Sequence, residues 1–329
     1  MSWRAMMKLQ KEFVILIAVI CILVLVLIIS SGRNKVTYKL PELDRIESDS
    51  VDKIEIITSE DSVVLSKKQD EWLLMPQQFT ADTEKVNNML NVVSSINLTE
   101  LVSDKKNYQR YQLDQENRIH VKAFNDEELV REFFIGKVSS TYSHTYVRLA
   151  DSPNVYHASD SFRSTFEQNI PGLRDKSVMK FSQDEITALM LKGEFGEIRL
   201  KKEIRPVAEA QEQEEQTEVT PQQKSVWLSQ DGEEAEASEV NSVLSKLSSL
   251  NCDSFLDEEK KQNLENPVYN IIAQGSKDYQ LKIFQNKDPE ETYPSLSSEN
   301  AHAFFLTKYV AESLMKKPED IFKIEDRDK

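Results

Sequence analysis

The sequence predicts an α+β protein: an N-terminal single transmembrane helix followed by two tandem homologous domains, each a mainly antiparallel sheet with packed helices. Three observations predict this class. The chain after its apolar N-terminal segment is repeated, short β-rich runs are separated by turn-forming residues, and each copy carries one amphipathic helical pattern. Strands that follow one another through short turns favour antiparallel pairing, and helices interspersed with them indicate the α+β class.

The internal repeat is clearest in the helical pattern. Residues 81–97 and 235–251 align without a gap, and 7 of the 17 aligned positions are identical. A Trp-Leu pair precedes both segments: Trp72-Leu73 and Trp227-Leu228. Self-similarity of this kind indicates a repeated folding unit, and a period near 154 residues is far longer than that of a solenoid. The repeat therefore predicts two tandem domains.

The chain begins with a hydrophobic segment. Residues 13–29 are a continuous apolar run of 17 residues, and we expect a transmembrane anchor over 13–31. A cleaved secretory signal is the alternative, but the run is longer than a usual signal core and no Ala-x-Ala-like site follows it. Residues 1–12 are then a cytoplasmic tail, with the body outside the cytoplasm. The predicted location is the bacterial inner (cytoplasmic) membrane.

The first domain is predicted over residues 50–170. Two β-rich runs, 53–58 and 62–67, form a hairpin, and a third strand at 72–75 ends at a proline. Asp82 is a candidate N-cap for a helix whose apolar residues recur at helical spacing. The later strands of this domain are predicted at 118–124, 129–135, 145–149 and 154–157, before a short closing helix at 159–168.

The second domain, predicted over residues 184–322, repeats this order and contains an insertion. Between the Leu65/Leu200 match and the Trp72/Trp227 match the offset grows from 135 to 155 residues, which adds 20 residues to the second copy. Residues 205–224 fit that length. They hold five Glu, five Gln and two Pro but no aromatic residue, and this composition predicts a disordered insertion.

Composition excludes several function classes. The net charge of −15 opposes nucleic-acid binding, and the chain has only seven glycines and no phosphate-binding or nucleophile-elbow motif. The four histidines lack metal-ligand spacing: His120, His144, His157 and His302. His144 and His157 could meet across neighbouring strands, more simply as structural histidines than as a metal pair. We therefore assign no catalytic, cofactor-binding or metal-binding residue, and no cofactor.

Several short motifs resemble the bacterial "domain of unknown function 4340" family. They are Trp72-Leu73 with Pro76, Ala81-Asp82, Tyr111-Gln112-Leu113-Asp114, Ile135-Gly136, Tyr146-Val147 and Val155-Tyr156. The resemblance spans residues 50–170 and recurs more weakly in 184–322. It implies a single-pass anchored protein without an assigned activity, encoded beside membrane subunits of a gliding-motility-type ABC exporter, and hence an accessory role.

These observations together predict a non-enzymatic, membrane-anchored, extracytoplasmic accessory or scaffold protein of an envelope complex. Its expected partners are membrane-complex proteins such as ABC transporter subunits. One alternative is a ligand-binding module with a cleft between the repeats, since domain interfaces often hold pockets. A second alternative is a hydrolase that acts on envelope polymers through carboxylates.

Overall fold

The computed structural model describes residues 16–26, 38–206, 223–256, 264–285 and 292–323. Within these ranges, no helix is both long and apolar enough to cross a membrane. The described part of the apolar run, residues 16–26, is a helix (α1) with exposed apolar side chains.

This finding contradicts two predictions. The single transmembrane helix of the predicted fold class and the predicted place in the bacterial inner membrane are both wrong, because no helix among the described residues could span a membrane. The predicted cytoplasmic tail, residues 1–12, and the two ends of the predicted anchor lie outside the described residues. The described chain is mostly antiparallel β-sheet, arranged as two large sheets.

The first large sheet has nine strands within the described residues, in the order β4-β3-β2-β1-β6-β7-β8-β9-β5. These strands are β1 (Lys53–Ile57), β2 (Ser62–Lys68), β3 (Glu71–Met75), β4 (Phe79–Thr80), β5 (Leu98–Ser103), β6 (Ile119–Asn125), β7 (Glu128–Val138), β8 (His144–Leu149) and β9 (Val155–Ser159). Three helices accompany them: α2 (Thr83–Ser94), α3 (Arg163–Phe166) and α4 (Ile170–Leu173).

The second large sheet also has nine strands in the described ranges, in the order β14-β13-β12-β11-β17-β18-β19-β20-β16. These strands are β11 (Ala188–Gly193), β12 (Gly196–Pro206), β13 (Gln223–Ser229), β14 (Glu234–Ala235), β16 (Ser254–Phe255), β17 (Tyr269–Gln274), β18 (Asp278–Ile283), β19 (Thr292–Ser297) and β20 (Asn300–Thr307). Strands β10 (Ser177–Lys180) and β15 (Ser249–Asn251) form a separate antiparallel pair. The helices here are α5 (Ala237–Leu247), α6 (Lys308–Leu314) and α7 (Pro318–Ile321).

The two large sheets have the same strand order when each is counted from its own first strand. The entry to the main helix is also the same in both. Ala81 bridges Arg174 just before α2, and Ala235 bridges Phe322 just before α5. The chain divides into two compact units, one of residues 1–62 with 88–167 and the other of 63–87 with 168–329. The predicted domain bounds, 50–170 and 184–322, stay a prediction.

Helix α2 begins where the sequence places an N-cap. The Asp82 side chain accepts hydrogen bonds from the backbone N–H groups of Glu84 and Lys85, at 3.0 and 3.1 Å, which satisfies two donors of the first turn. The apolar side of this helix is buried: Val86, Met89, Leu90 and Val93. The matching side of α5 is buried as well: Val240, Val243, Leu244 and Leu247. The two Trp side chains predicted to be core, Trp72 and Trp227, are also buried.

The predicted insertion, residues 205–224, begins and ends inside strands. Arg205 pairs with Lys224 and Pro206 with Gln223, at the far end of the β12–β13 ladder. The strands therefore extend further than the sequence pattern predicts, because backbone hydrogen bonding does not require apolar side chains. Residues 207–222 lie outside the described residues.

Candidate functional site

One face of the first sheet is polar and aromatic instead of apolar. Side chains alternate across a strand, so Val121 and Ala123 of β6 enter the core while His120 lies on the opposite face. Strand β7 repeats this pattern, with Phe133 in the core and Phe134 on the opposite face. Side chains on the opposite face of β6–β9 do not enter the core, so polar and charged residues can lie there.

A turn before β6 covers part of this opposite face. It contains the 3₁₀ segment Tyr108–Tyr111, and its side chains form a small apolar cluster with the strands. The buried members of the cluster are Tyr111, Leu113, Phe134 and Val155, with Val102, Tyr108 and Tyr146 packed against them. The ring centroids of Tyr111 and Tyr146 lie 4.9 Å apart. The turn is thus fixed to the sheet by apolar contact.

Gly136 allows the turn to approach the sheet closely. A Cβ atom at this position would lie 2.2 Å from the carbonyl oxygen of Tyr111, a distance that no side chain tolerates. Tyr111-Gln112-Leu113-Asp114 and Ile135-Gly136 are therefore in direct contact, together with Tyr146 and Val155. Four of the six motifs on which the family resemblance depends therefore contribute residues to this contact.

Asp114 closes the covering turn. Its carboxylate accepts hydrogen bonds from the Asn117 side chain at 2.8 Å and the Glu116 backbone at 3.2 Å, and the Asn117 bond is the largest cause that lowers the pKa of Asp114. The Asp114 carbonyl oxygen accepts from the backbone N–H of Arg118 at 3.0 Å. This last bond fixes the backbone from which Arg118 extends.

Two arginines stack on one ring of this face. The guanidinium carbons of Arg118 and Arg148 lie 4.5 and 3.9 Å from the ring centroid of Phe134. In the described part of the chain, neither arginine lies within ion-pair distance of a carboxylate, and the buried Nε of Arg148 has no hydrogen-bond partner there. Burial lowers the pKa of Arg148, yet an arginine remains charged at neutral pH. The face thus carries two positive charges with no carboxylate at ion-pair distance among the described residues, although Glu132 is near enough to raise the pKa of Arg148.

His120 lies beside these arginines. Its ring stacks on Phe134 at a centroid distance of 4.3 Å, and its Nε2 donates to the Glu132 carboxylate at 2.7 Å. Burial lowers the pKa of His120, and the hydrogen bond to Glu132 opposes that shift. A cavity of about 490 Å³ opens next to Arg118 and His120, lined also by Ile57, Thr58, Ser59, Gln115 and Glu116.

The structure brings His144 and His157 together, as their strand positions suggested. Their ring centroids lie 5.2 Å apart, and the Nδ1 of His157 lies 3.4 Å from a Glu100 carboxylate oxygen. Burial lowers the pKa of His157, while Glu100 raises it. Among the described residues, no group of three or more potential ligands could hold a metal ion. The pair is thus a contact at the β8–β9 end of the same face, and His302 lies elsewhere.

The equivalent face of the second sheet can be found from the strand registers. Ile54 of β1 and Leu189 of β11 are equivalent, because they are separated by the same 135 residues as Leu65 and Leu200. Ile54 pairs with Ala123 of β6 and Leu189 pairs with Ala273 of β17, so Ala123 and Ala273 are equivalent as well. Counting along the paired strands from there gives the following equivalences: His120 with Asn270, Glu132 with Gln280, Phe134 with Lys282, Gly136 with Phe284 and Arg148 with Leu296. The second sheet therefore lacks the arginine–aromatic stack.

The fold and this face define a protein with two antiparallel sheets of one topology, of which the first carries a cationic aromatic surface. Residues 72–267 match the model of the family described as "Domain of unknown function (DUF4340)", and the chain belongs to that family. This confirms the family resemblance seen in the sequence. Comparison with the curated proteins and with the solved structures gives no significant match.

Sequence reasoning did not single out Arg118, Arg148 or Phe134. A signal for them was present in the strand pattern. Arg148 lies two residues after Tyr146, so both side chains share one face of β8. Two polar or aromatic positions on the non-core side of a strand are ordinary, however, and only the neighbouring strands show that they converge.

Proposed function

We propose that this chain is a non-catalytic accessory protein that recognises an acidic segment of a partner protein. The binding surface is the one formed by Arg118, His120, Phe134 and Arg148, here called the arginine face. One observation carries the proposal: two guanidinium groups stack on Phe134, and no carboxylate of the described chain lies within ion-pair distance of either.

The protein carries an excess of carboxylates that could pair with its cations. With a net charge of −15, the protein offers many carboxylates, and several cations elsewhere pair with them, such as Lys277 with Glu299 and Arg199 with Glu197. A guanidinium group presents a planar set of donors that matches a carboxylate in two parallel hydrogen bonds. Stacking on an aromatic ring leaves those in-plane donors available for an incoming group.

Partial burial increases the strength of such a contact. The Nε of Arg148 is buried without a hydrogen-bond partner among the described residues, and an unsatisfied buried donor costs about 1–3 kcal/mol. The apolar and aromatic side chains around it, Tyr108 and Phe134, exclude water and so weaken screening.

Two further observations support this face over the rest of the molecule. Tyr111, Gly136 and Tyr146, which belong to the motifs of the family resemblance, pack on the same side of the sheet and support this surface. The second sheet has Lys282 and Leu296 where the first has Phe134 and Arg148. The absence of catalysis and the choice of ABC exporter subunits as partners stay predictions, as do the cleft and hydrolase alternatives.

A peptide titration tests the proposal. The full chain is titrated with a fluorescent hexaglutamate peptide and with hexaglutamine of the same length, and fluorescence anisotropy reports binding. We expect saturable binding of hexaglutamate alone, weakened about tenfold or more by Arg118→Met with Arg148→Met, because each lost charge-assisted hydrogen bond is worth about 1.5–3 kcal/mol. Methionine keeps an unbranched apolar stem of similar length on the ring.

Arg110→Met is the matched control. Arg110 is exposed on the 3₁₀ turn that covers the sheet, so its replacement removes the same charge without touching the stack. We expect hexaglutamate to bind this variant as it binds the parent chain. Equal weakening by Arg110→Met, or binding of hexaglutamine with the same affinity, would show that the arginine face does not recognise carboxylates.

A further inference from the structure

A cavity of about 570 Å³ lies within the unit formed by residues 63–87 and 168–329, and its volume is within the range of small-molecule sites. The turn between β11 and β12, the start of β17, the start of β19 and the helices α6 and α7 all contribute to its lining. Its apolar wall contains Phe195, Val268, Tyr269, Tyr293 and Met315. Val268, Tyr293 and Met315 also pack against the core of this unit, so the wall is continuous with the core.

The aromatic part of this wall is held by contacts within the protein. Tyr269 is buried, and its hydroxyl donates a hydrogen bond to the carbonyl oxygen of Lys316, just before α7. The ring centroid of Phe195 lies 6.0 Å from that of Tyr269. Phe195 itself has an exposed fraction of 36%, although it is a large apolar side chain. Part of its ring is therefore accessible to a ligand in the cavity.

Three carboxylates and one ammonium group complete the lining. The carboxylates belong to Glu194, Glu312 and Asp320, and the ammonium group belongs to Lys317. Glu312 is partly neutralised, because its carboxylate lies 3.9 Å from the Lys308 ammonium. In the part of the chain that the structure describes, neither Glu194 nor Asp320 lies within ion-pair distance of a lysine or arginine. The lining therefore has an excess of negative charge.

Asp320 lies close to the aromatic wall and has a role in the backbone as well. One of its carboxylate oxygens accepts a hydrogen bond from the backbone N–H of Lys317 at 2.9 Å, which leaves the other oxygen available. Burial raises the pKa of Tyr269, and the negative charge of Asp320 raises it further. The face of an aromatic ring attracts a cation, and a carboxylate beside it adds to that attraction.

We infer that this cavity binds a small organic cation, an ammonium group carried on an apolar body. The carboxylates of Glu194 and Asp320 attract the ammonium group, against the single opposing charge of Lys317. The rings of Phe195 and Tyr293 contact the apolar body and add a cation–π attraction. The inference does not depend on the function proposed for the arginine face, because it uses none of the same residues.

The test is isothermal titration calorimetry of phenethylammonium chloride into the full chain, at neutral pH and about 0.15 M salt, where exposed charges are well screened. Two probes separate the contributions: phenylethanol has the ring without the charge, and methylammonium has the charge without the ring. We expect phenethylammonium to bind one site saturably. We expect each of the other probes to bind at least about tenfold more weakly, because it lacks one of the two contacts.

Substitutions of the two carboxylates locate the site. Glu194→Gln combined with Asp320→Asn removes both charges and keeps an oxygen that can accept from the Lys317 N–H. We expect this double variant to bind phenethylammonium about tenfold or more weakly. The matched control is Glu319→Gln, which removes an exposed charge from the same helix α7 but does not change the lining of the cavity. We expect the control to bind phenethylammonium as the parent chain does.

Phe195→Leu gives an independent measurement, which also serves should the double variant fail to fold. Leucine keeps an apolar side chain on the exposed turn and removes the ring face. We expect phenethylammonium to bind this variant about threefold or more weakly, because the cation–π contact is lost.

Four results would overturn the inference. An absence of saturable phenethylammonium binding would show that the cavity is not a cation site. Phenylethanol that binds as tightly as phenethylammonium would show that the carboxylates have no role, and methylammonium that binds as tightly would show that the aromatic wall has none. Binding that survives both the double variant and Phe195→Leu in folded protein, judged by circular dichroism and thermal unfolding, would place the binding site elsewhere. Equal weakening by Glu319→Gln would show that the cation responds only to the net charge of the protein.

Discussion

The two large sheets share one topology but differ on the face that does not enter the core. Both have nine strands in the described residues, in the same order, and the β1–β6 register corresponds residue by residue to the β11–β17 register. The core sides of both sheets are apolar, with Val121 and Ile271 at equivalent positions and both fully buried. The opposite faces have diverged. Packing thus maintains the same fold in both sheets, while the outer face of the first sheet has a chemistry of its own.

One pair of side chains shows this divergence most clearly. In the first sheet, His120 donates to Glu132 at 2.7 Å, and in the second sheet Gln280 donates to Asn270 at 2.9 Å. The four positions are equivalent by register, so the same diagonal hydrogen bond joins the same two strands. Only the pair in the first sheet can change its charge near neutral pH. The geometry is retained and the chemistry differs.

The first prediction tests whether the two main helices, α2 and α5, occupy equivalent sites, and it concerns the largest change in stability. Leu90 and Leu244 have exposed fractions of only 7% and 2%. We expect Leu90→Ala and Leu244→Ala each to reduce the free energy of unfolding by about 2–5 kcal/mol, the usual cost of emptying a buried leucine site. Urea unfolding followed by circular dichroism measures both changes.

The control for these two variants is Asn88→Ala, on the exposed side of α2. Surface replacements usually change the free energy of unfolding by less than about 0.5 kcal/mol, and alanine favours a helix. A loss of stability in Leu90→Ala with none in Leu244→Ala would show that the two helices are not equivalent in their packing.

The second prediction concerns a position where the sheets differ by necessity. Gly136 lies beneath the Tyr111 carbonyl oxygen, whereas its equivalent in the second sheet is the buried Phe284. We expect Gly136→Ala to cost about 1–3 kcal/mol, because the added methyl group forces the covering turn away from the strand. It should also weaken hexaglutamate binding, since that turn positions Arg118. Urea unfolding and the peptide titration measure the two effects.

Gly172→Ala is the matched control for that variant. A Cβ at Gly172 would meet the ends of the Asn169 and Gln168 side chains at 3.0 and 3.1 Å, and such ends can move. We expect a smaller loss of stability than at Gly136 and no change in peptide binding. If Gly136→Ala is as mild as Gly172→Ala, the contact between the turn and β7 does not hold the arginine face together.

The third prediction is a pH dependence that arises from the first sheet. Burial lowers the folded-state pKa of His120 and of His157 below the unfolded value of about 6.5. The unfolded chain therefore binds more protons in this window, so the free energy of unfolding falls as the pH decreases from above 6.5 through the folded pKa values. Urea unfolding at pH 7.5, 6.5 and 5.5 measures the fall. Stability that is constant or rises on acidification would contradict it.

Local patterns predicted much of the secondary structure. The runs at 53–58, 62–67 and 72–75 are strands β1, β2 and β3, and Asp82 caps α2 as predicted. These features depend on side-chain alternation and on one hydrogen-bonding side chain, both of which are visible within a few residues. Strand β5, by contrast, lies in a stretch without alternation of apolar and polar side chains. It is a strand because its backbone pairs with β9. Its existence depends on the partner strand.

The candidate site was less accessible to prediction than the strands. The positions of His144 and His157 on adjacent strands could be inferred, and they meet. The stack of Arg118 and Arg148 on Phe134 could not, because it joins the end of a turn to two strands whose register the sequence does not specify. The prediction of a transmembrane helix from the apolar run at 13–29 was wrong for a different reason. Hydropathy alone predicts a spanning helix, whereas no helix among the described residues is both long and apolar enough to cross a membrane.

The last prediction concerns the smallest change in stability, which we expect when a hydrogen-bonded pair of the first sheet is replaced by the equivalent pair of the second. His120→Asn combined with Glu132→Gln places the amide pair of the second sheet into the first. At pH 7.5 we expect the free energy of unfolding to change by less than about 1 kcal/mol, because one hydrogen bond replaces another. The variant should lose the His120 share of the pH dependence and keep the share of His157.

Unfolding curves at pH 7.5 and 5.5 measure both quantities, and the single variant Glu132→Gln, which leaves the imidazole in place, is the control. An unchanged pH dependence in the double variant would show that His120 titrates alike in the folded and unfolded chain, and that this difference between the two sheets has no energetic consequence.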